Sequence, residues 1–267
     1  MIGALALNSF DKPPRRQIER EFGVPIPGEI VAPAYWTSTA LKHLPQHGPI
    51  DWGALFGRQA PIVLELGCGN ARYLIGSAVW RPDHDHLGID ILPVVIRYAT
   101  RRGNQRGLKN IRFAVCGGQE LLANHVRPAA IDEIHCYHPQ PYFDEAQAHK
   151  RLITPTFLAL VHRALKPGGL FVVQTDNPGY WRYIEQVVGY FFEFTPHAGR
   201  WPDAPKGRTR REILALKRGL TVYRGSGRAR LDLSEAAAVQ LAESLSPPVF
   251  DPDRRLQQLD QLERGGG

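Results

Sequence analysis

Short apolar runs alternate with longer amphipathic segments through the middle of the chain, from Pro61 to Thr175. Apolar runs bounded by turn residues predict buried strands, and apolar positions three or four apart predict helices. The predicted strands are 62–66, 87–91, 111–116, 131–137 and 170–175, and the predicted helices between them are 71–80, 93–103, 119–126 and 155–165. This alternation predicts an α/β fold with a doubly wound, mostly parallel sheet.

The pattern is irregular before this region and helical after it. Prolines at positions 13, 14, 25, 27 and 33 interrupt any long periodicity, while 234–244 and 253–264 are amphipathic at helical spacing. We therefore predict a basic, proline-containing N-terminal arm over 1–58, a main domain over 59–230 and a helical tail over 231–267. The arm carries Arg15, Arg16 and Arg20, and its sequence is equally compatible with a solvated tail and with RNA contact.

The first predicted strand contains Glu65 and runs into a turn with two glycines, Gly67 and Gly69. Glycines there let backbone amides approach a ligand without a Cβ in the way. The next strand carries Asp90 about 20 residues on, where nucleotide-binding folds hold a ribose. This arrangement predicts a cofactor site.

Missing motifs narrow the choice of cofactor. Dinucleotide sites favour a third glycine where Arg72 stands, and no Gly-Lys-Ser/Thr sequence follows the turn to bind nucleotide phosphates. A ligand with a ribose and an amino-acid tail but no phosphate fits better, and S-adenosyl-L-methionine is such a ligand. A tight turn without a ligand is the plainer alternative.

Charge and cysteine content bound the remaining possibilities. The formal net charge is +7 and the pI about 9.5, which favours an anionic partner, nucleic acid first and a membrane surface second. No apolar run approaches the roughly 20 residues of a membrane span, and no signal-peptide pattern is present, so we expect a cytoplasmic protein. Three dispersed cysteines and irregularly spaced histidines predict core thiols and no metal site.

Several motifs occur together in the order and spacing of one family. They are Glu65-Leu66-Gly67-Cys68-Gly69, Asp90, Asn110-Ile111-Arg112, Lys166-Pro167-Gly168-Gly169, the run from Gln174 to Tyr180, and Thr209-Arg210-Arg211-Glu212. The chain resembles the tRNA guanine-N7 methyltransferases over about residues 60–225. The resemblance implies a Rossmann-like class I methyltransferase fold, S-adenosylmethionine as cofactor and tRNA as partner.

The resemblance also implies roles for individual residues. Glu65, Gly67, Gly69 and, after the third strand, Gly117 would lie on the methionine and nucleoside side of the cofactor, with Asp90 on the ribose. On the RNA side, the resemblance implies guanine or nearby contacts for Asp176, Thr209 and Glu212, and substrate contacts for Lys150 and Arg151.

Two acidic positions of the family pattern are absent. Where the family has F-P-D-P-W, this chain reads His138-Pro139-Gln140-Pro141-Tyr142, and Gly117 or Gly118 stands at the second acidic position. Guanine N7 already has a lone pair, so its methylation requires placement and charge stabilisation rather than a general base. Gln140 accepts hydrogen bonds but brings no charge. Our hypothesis is that Asp144 or Glu212 returns a carboxylate to the pocket.

Basic residues are candidates for phosphate contact. They are Arg97, Arg101, Arg102, Arg106, Lys109 and Arg112, then His149, Lys150 and Arg151, and finally Lys206, Arg208, Arg210, Arg211, Lys217, Arg218, Arg224, Arg228 and Arg230.

Two alternatives to tRNA guanine-N7 methylation remain open. One keeps the cofactor and changes the acceptor, because Gln140 and Asp144 alter the pocket. The other is a weakly active or non-catalytic tRNA-binding relative that retains the basic surface.

Overall fold

The structure, a computed structural model, describes residues 18–265, so Arg15 and Arg16 of the predicted arm lie outside it. A two-stranded hairpin in the arm is formed by β1 (Arg20–Glu21) and β2 (Val24–Pro25). The main sheet contains β3 (Ile62–Leu66), β4 (Asp85–Asp90), β5 (Ile111–Val115), β6 (Ile131–Tyr137), β7 (Leu165–Thr175), β8 (Phe192–Pro196) and β9 (Tyr223–Ala229). Its order is β5-β4-β3-β6-β7-β9-β8.

Helices cover both faces of this sheet. They are α1 (Trp52–Phe56), α2 (Arg72–Trp80), α3 (Pro93–Gln105), α4 (Gly118–Asn124), α5 (Pro155–Ala164), α6 (Pro178–Val187), α7 (Arg210–Lys217), α8 (Glu235–Ser244) and α9 (Gln257–Gly265). Side chains of α2 and α3 share one core cluster, and those of α4, α5 and α6 share the other. The predicted doubly wound, mostly parallel sheet is confirmed.

Strand order reverses beside β3, and this reversal positions the site. β3 pairs in parallel with β4 on one side and with β6 on the other. Open α/β sheets bind ligands at such a switch point, outside the carboxyl ends of the strands. The glycine turn after Leu66 begins there.

The end of α5 differs from the prediction. The helix ends at Ala164, and β7 begins at Leu165 rather than at Leu170. Leu165 pairs with Ile131, but the next pairing joins Leu170 to Glu133, so 166–169 form an irregular stretch in the strand. Gly168 adopts φ +70°, a left-handed conformation typical of turns, so the predicted turn is present as a local irregularity within β7.

The sequence patterns above do not predict β8 and β9, which complete the sheet as antiparallel strands. β9 reads Tyr-Arg-Gly-Ser-Gly-Arg-Ala, and strand propensity disfavours its glycines. The structure shows why they are there: a Cβ on Gly225 would lie 2.3 Å from Cζ of Phe194. The close packing of Phe194 over β9, rather than strand propensity, therefore determines which residues occupy this strand.

We expect Gly225→Ala to destabilise the fold by about 1–3 kcal/mol, because the Phe194 ring and the sheet edge must both shift. Thermal denaturation should show a lower Tm for this variant. Gly189→Ala is the matched control, since no atom lies within 4 Å of the Cβ it would add. Equal Tm values for the two variants would contradict the packing argument.

The described part of the arm is packed against the domain, so of the two alternatives left open by the sequence, a solvated tail does not apply to these residues. Glu19 forms ion pairs with Arg102 and Arg106 of the α3 region at 2.9 and 3.0 Å, and Glu21 pairs with Arg102 at 2.9 Å. Ala40 forms a parallel bridge with Phe113, which covers part of the β5 edge. Backbone and charge contacts both attach the arm to the sheet.

Both predicted tail helices are present. Ser234 caps α8 by accepting from the amide of Ala237, and α8 packs on α5. A short 3-10 turn over Arg254–Leu256 leads into α9. Leu256 and Leu259 are buried together with Leu214 of α7, so the tail returns to the edge of the sheet that carries the candidate site.

Candidate functional site

The turn after β3 presents open backbone. Gly67 and Gly69 have φ values of +75° and +51°, and a Cβ added to either would meet no atom within 4 Å. The amides of Gly67 and Cys68 both donate to the carbonyl of Ile89, which fixes the turn against β4. The result is a rigid turn with open space above it, as close approach by a ligand requires.

Glu65 lies beneath this turn and is only 2% exposed. Its carboxylate accepts from the amide of Leu74 in the first turn of α2, while Oε2 is buried without a hydrogen-bond partner among the residues described. Burial raises the pKa of Glu65 well above its ordinary value, although the Leu74 amide opposes this. A buried carboxylate oxygen without a partner fits the cationic amino group of a methionine moiety.

Cofactor binding should therefore depend on pH. A cationic amine prefers ionised Glu65, and the raised pKa means that ionisation occurs only as pH rises above the usual glutamate range. At pH values below that pKa, we expect the affinity for S-adenosylmethionine to increase by up to about tenfold for each unit by which the pH rises. Calorimetry at several pH values measures this slope. Glu65→Gln should bind weakly with a flatter profile, and identical slopes in the two proteins would contradict the assignment.

Asp90, at the end of β4, lies beside the glycine turn. Its Oδ2 accepts from the amide of Gly69 at 3.1 Å and its Oδ1 from the amide of Leu92 at 2.9 Å. Burial raises the pKa of this carboxyl, and the amides oppose the shift. The structure thus brings Glu65, Gly69 and Asp90 together at adjacent strand ends.

Gly117 lies at the end of the next strand along the edge. It precedes α4, and its amide lies 3.4 Å from Oε2 of Glu120. The same oxygen would lie 3.5 Å from a Cβ added at Gly117. A carboxylate therefore lies beside the position where the sequence lacks one, supplied by a residue that the motif comparison missed.

Large apolar side chains are exposed at these same strand ends. Ile91, Leu92 and Val115 are 61%, 51% and 48% exposed. Ile91 and Leu92 follow Asp90 directly, and Val115 ends β5. Exposed apolar groups beside the Asp90 carboxylate provide a surface on which an aromatic ring can pack.

On the other side of the switch point, a hydrogen-bond network orients His138. Gln174 accepts from Nε1 of Trp201 at 2.6 Å and from Nε of Arg224 at 3.3 Å through its carbonyl oxygen. Its amide nitrogen therefore faces Nε2 of His138, 2.9 Å away. His138 Nε2 must accept this bond, so the ring proton is on Nδ1.

The Asp176 carboxylate lies near that nitrogen, outside hydrogen-bonding geometry. Nδ1 of His138 lies 3.5 Å from Oδ1 of Asp176, while Arg211 donates through Nε to Oδ2 at 2.6 Å. Burial alone would raise the pKa of Asp176, but His138 and Arg211 outweigh it and hold the pKa below its usual range. Asp176 is therefore a buried, ionised carboxylate at the end of β7. His138 has a strained φ of +50°, as residues at functional sites often do.

Gln140 belongs to the same cluster. Its Nε2 lies 3.4 Å from Oδ2 of Asp260 in α9, and the other oxygen of Asp260 accepts from Nη1 of Arg211 at 2.5 Å. Gln140 and Asp176 are thus connected through Asp260 of the C-terminal tail and Arg211. The long sequence separation of Gln140 and Asp260 hides this connection from motif reasoning.

Thr209 and Glu212 form a helix cap at the start of α7. Thr209 accepts from the amide of Glu212 at 3.1 Å, and Oε2 of Glu212 accepts from the amide of Arg208 at 2.8 Å. Oε1 of Glu212 pairs with Nη2 of Arg224 at 2.8 Å, and Glu212 is 0% exposed. Both carboxylate oxygens therefore have protein partners.

The segment after Tyr142 contains outward and inward side chains. Asp144 is exposed and caps a 3-10 turn over Glu145–Lys150, where its Oδ1 accepts from the amide of Ala146 at 3.0 Å. Lys150 is exposed, whereas Arg151 is buried and donates to the carbonyls of Pro141, Tyr142, Pro248 and Phe250. Arg151 thereby joins the loop that carries Gln140 to the tail.

The prediction of phosphate contact is wrong for four of the basic residues. Arg102, Arg106, Arg211 and Arg224 are buried and form ion pairs inside the protein. The exposed basic residues of the predicted set are Arg97, Arg101, Lys109, His149, Lys150, Lys206, Lys217, Arg218 and Arg228. These retain side chains available to an anionic partner.

Other features of the fold lie elsewhere. A surface cavity of about 620 Å³, lined by Arg58, Pro82, Arg106 and Asn110 among others, is at the amino ends of β4 and β5, opposite the glycine turn.

Over residues 18–265 no helix is long and apolar enough to cross a membrane. In the same part of the chain, no group of three or more His, Cys, Asp or Glu side chains is arranged to hold a metal ion. Cys68, Cys116 and Cys136 are buried thiols.

A glycine turn at the switch point, with Glu65 beneath it and Asp90 beside it, is the arrangement expected of a class I methyltransferase. Residues 59–224 match a family described as "Putative methyltransferase". Among solved structures, that of the 16S rRNA methyltransferase KamB matches with a TM-score of 0.55 at 13% identity, over 72% of this chain and 98% of that one, which supports the fold.

Curated relatives identify the family. The chain is 31% identical over 184 residues to the tRNA (guanine-N(7)-)-methyltransferase of Halorhodospira halophila, which covers 67% of this chain and 80% of the relative. It is 31% identical over 191 residues to the protein of the same name from Nitrosococcus oceani, covering 69% and 81%. This chain belongs to the tRNA (guanine-N7-)-methyltransferase family.

Proposed function

We infer that this protein is an S-adenosylmethionine-dependent methyltransferase that forms 7-methylguanosine in tRNA. The observation that carries the cofactor assignment is the buried Oε2 of Glu65, which lacks a partner among the described residues and lies below two glycines with open space above them. Family membership supports the acceptor.

The cofactor side consists of adjacent strand ends. Glu65 would hold the methionine amino group, and the Gly67 and Gly69 turn would allow the tail to approach the backbone. Asp90 would accept from the ribose hydroxyls, since its carboxylate is at the end of β4. Ile91 and Val115 would cover the adenine ring, with Gly117 and Glu120 at its rim.

The guanine side consists of the cluster around Asp176. When bound, S-adenosylmethionine supplies the methyl carbon, so that the N7–carbon bond forms as the sulfur–carbon bond breaks. The protein must align the acceptor and tolerate positive charge passing to the purine. Asp176, ionised and held by Arg211, provides negative charge at this strand end. Gln140 offers a neutral acceptor, and Thr209 and Glu212 support the pocket from the α7 cap.

The RNA backbone would contact exposed basic residues. Lys150 follows the Gln140 loop, Lys206 precedes α7, and Lys217 and Arg218 lie at the end of that helix. Phosphate contacts of this kind make affinity fall steeply as salt concentration rises. In this proposal, Arg151 acts indirectly, because its guanidinium holds the Gln140 loop.

The test is a methylation reaction with labelled S-adenosylmethionine and total tRNA, followed by borohydride and aniline treatment. We expect incorporated label and strand cleavage at the modified guanine. Label without aniline-sensitive cleavage would reject N7 as the target. Tight tRNA binding without incorporation would instead indicate a non-catalytic relative.

A further inference from the structure

The cluster on the guanine side contains a carboxylate from an unexpected part of the chain. Asp260, in α9, lies 3.4 Å through Oδ2 from the amide nitrogen of Gln140 and 2.5 Å through Oδ1 from Nη1 of Arg211. Arg211 also pairs with Asp176. Asp260 therefore contacts Gln140 directly and is linked to Asp176 through Arg211.

The tail is held so that this side chain points inward. Leu256 and Leu259 are 4% and 1% exposed against Leu214 of α7, and Nη2 of Arg211 donates to the carbonyl of Leu256 at 3.3 Å. The side chain of Asp260 itself is 15% exposed. Apolar contacts of Leu256 and Leu259 therefore dock the helix alongside the Arg211–Asp260 ion pair.

We propose that Asp260 is a positioning residue that acts through Gln140, an inference that rests on the proposed function. The Asp260 carboxylate can accept only from the NH2 group of Gln140, so it orients the amide and leaves the carbonyl oxygen Oε1 to accept from the guanine edge. Gln140 is itself exposed to solvent, so the Asp260 carboxylate acts by orienting the amide rather than by polarising it. Gln140 and Asp260 together then replace one carboxylate at position 140.

The structure favours Asp260 over the other two carboxylates considered for this role. Both oxygens of Glu212 accept from partners inside the protein. Both oxygens of Asp144 accept from groups in its own turn, the Ala146 amide at 3.0 Å and the side chain of Gln147 at 3.4 Å. Asp260 is the one of the three that contacts Gln140.

A double-mutant cycle on the full chain tests this role. Asp260→Asn should lower kcat for tRNA methylation by about 10- to 100-fold, the range for loss of a charge-assisted contact, with little change in KM for S-adenosylmethionine. Gln140→Asp alone should also be impaired, because it places a second carboxylate beside Asp260. The double variant Gln140→Asp/Asp260→Asn should be more active than either single variant. It again has a single carboxylate at the proposed guanine pocket, now at position 140.

The controls separate positioning from docking. Glu243→Gln removes an exposed carboxylate from α8 and should leave kcat unchanged. Leu259→Ala loosens the tail and should lower Tm by more than Asp260→Asn does. Wild-type kcat in Asp260→Asn, or a loss that Gln140→Asp does not rescue, would overturn the positioning role. Absence of 7-methylguanosine formation by the wild-type protein is a distinct result that would overturn the proposed function itself.

Discussion

Replacing Glu65 with alanine is expected to weaken S-adenosylmethionine binding by about 100-fold, a loss of roughly 2–3 kcal/mol. Glu65 provides a carboxylate oxygen that is buried and has no hydrogen-bond partner among the described residues, and alanine removes the only group proposed to meet the methionine amine there. Isothermal calorimetry on the purified protein measures the change directly.

Glu133→Ala serves as the comparison for Glu65→Ala. It also removes a glutamate from a central strand, but Glu133 pairs with Arg81 at 2.7 Å and with His135 at 3.0 Å, away from the glycine turn. It should lose stability while keeping cofactor affinity. Equal affinity losses in the two variants would show that strand integrity, and not the Glu65 carboxylate, determines binding.

Replacing Glu212 with glutamine is expected to lower the free energy of unfolding by about 3–5 kcal/mol, because it leaves a buried arginine without its ion partner. Arg224 is 4% exposed and its Nη2 lies 2.8 Å from Oε1 of Glu212. For a chain of this length, such a change should lower Tm by on the order of 10 °C. Scanning calorimetry measures both quantities.

The exposed Glu185 provides a control for the charge change, and Glu185→Gln should leave Tm within about 1 °C of wild type. A substrate contact at Glu212 predicts a different result, namely reduced tRNA affinity at unchanged Tm. That outcome would contradict the assignment of Glu212 to the interior of the protein.

Local patterns predict the cofactor side of this site well. The strand at 62–66 is matched residue for residue, and the glycine turn, Glu65 and Asp90 come together because each lies at the end of a short buried run. β3 is buried on both faces, and a short continuous apolar run is typical of such a strand, so burial follows the sequence directly in this part of the chain.

The guanine side depends on contacts between residues that are far apart in sequence. His138 is oriented by Gln174, and Gln140 meets Asp260 from a helix 120 positions away. No local pattern encodes such pairs. The Thr209–Glu212 motif shows a related difficulty, because the same spacing that resembles a substrate motif is also the spacing of a helix capping box.

The strand pair β8 and β9, which ends in the edge strand β8, also escapes prediction from local sequence patterns. Gly225 and Gly227 in β9 disfavour a strand locally, yet they allow residues of β8 to pack closely against them. Tertiary packing therefore overrides propensity at this edge, as it does wherever a neighbouring backbone must approach closely.

Mass spectrometry of nucleosides shows whether this protein makes 7-methylguanosine in tRNA. Unmodified tRNA transcripts are incubated with S-adenosylmethionine carrying a trideuterated methyl group and then digested to nucleosides. We expect 7-methylguanosine with a mass increase of about 3 Da over the unlabelled nucleoside, and about 100-fold less of it with Glu65→Ala when the cofactor is well below its wild-type Kd. Deuterated methyl in any other nucleoside, with 7-methylguanosine absent, would contradict the proposed function.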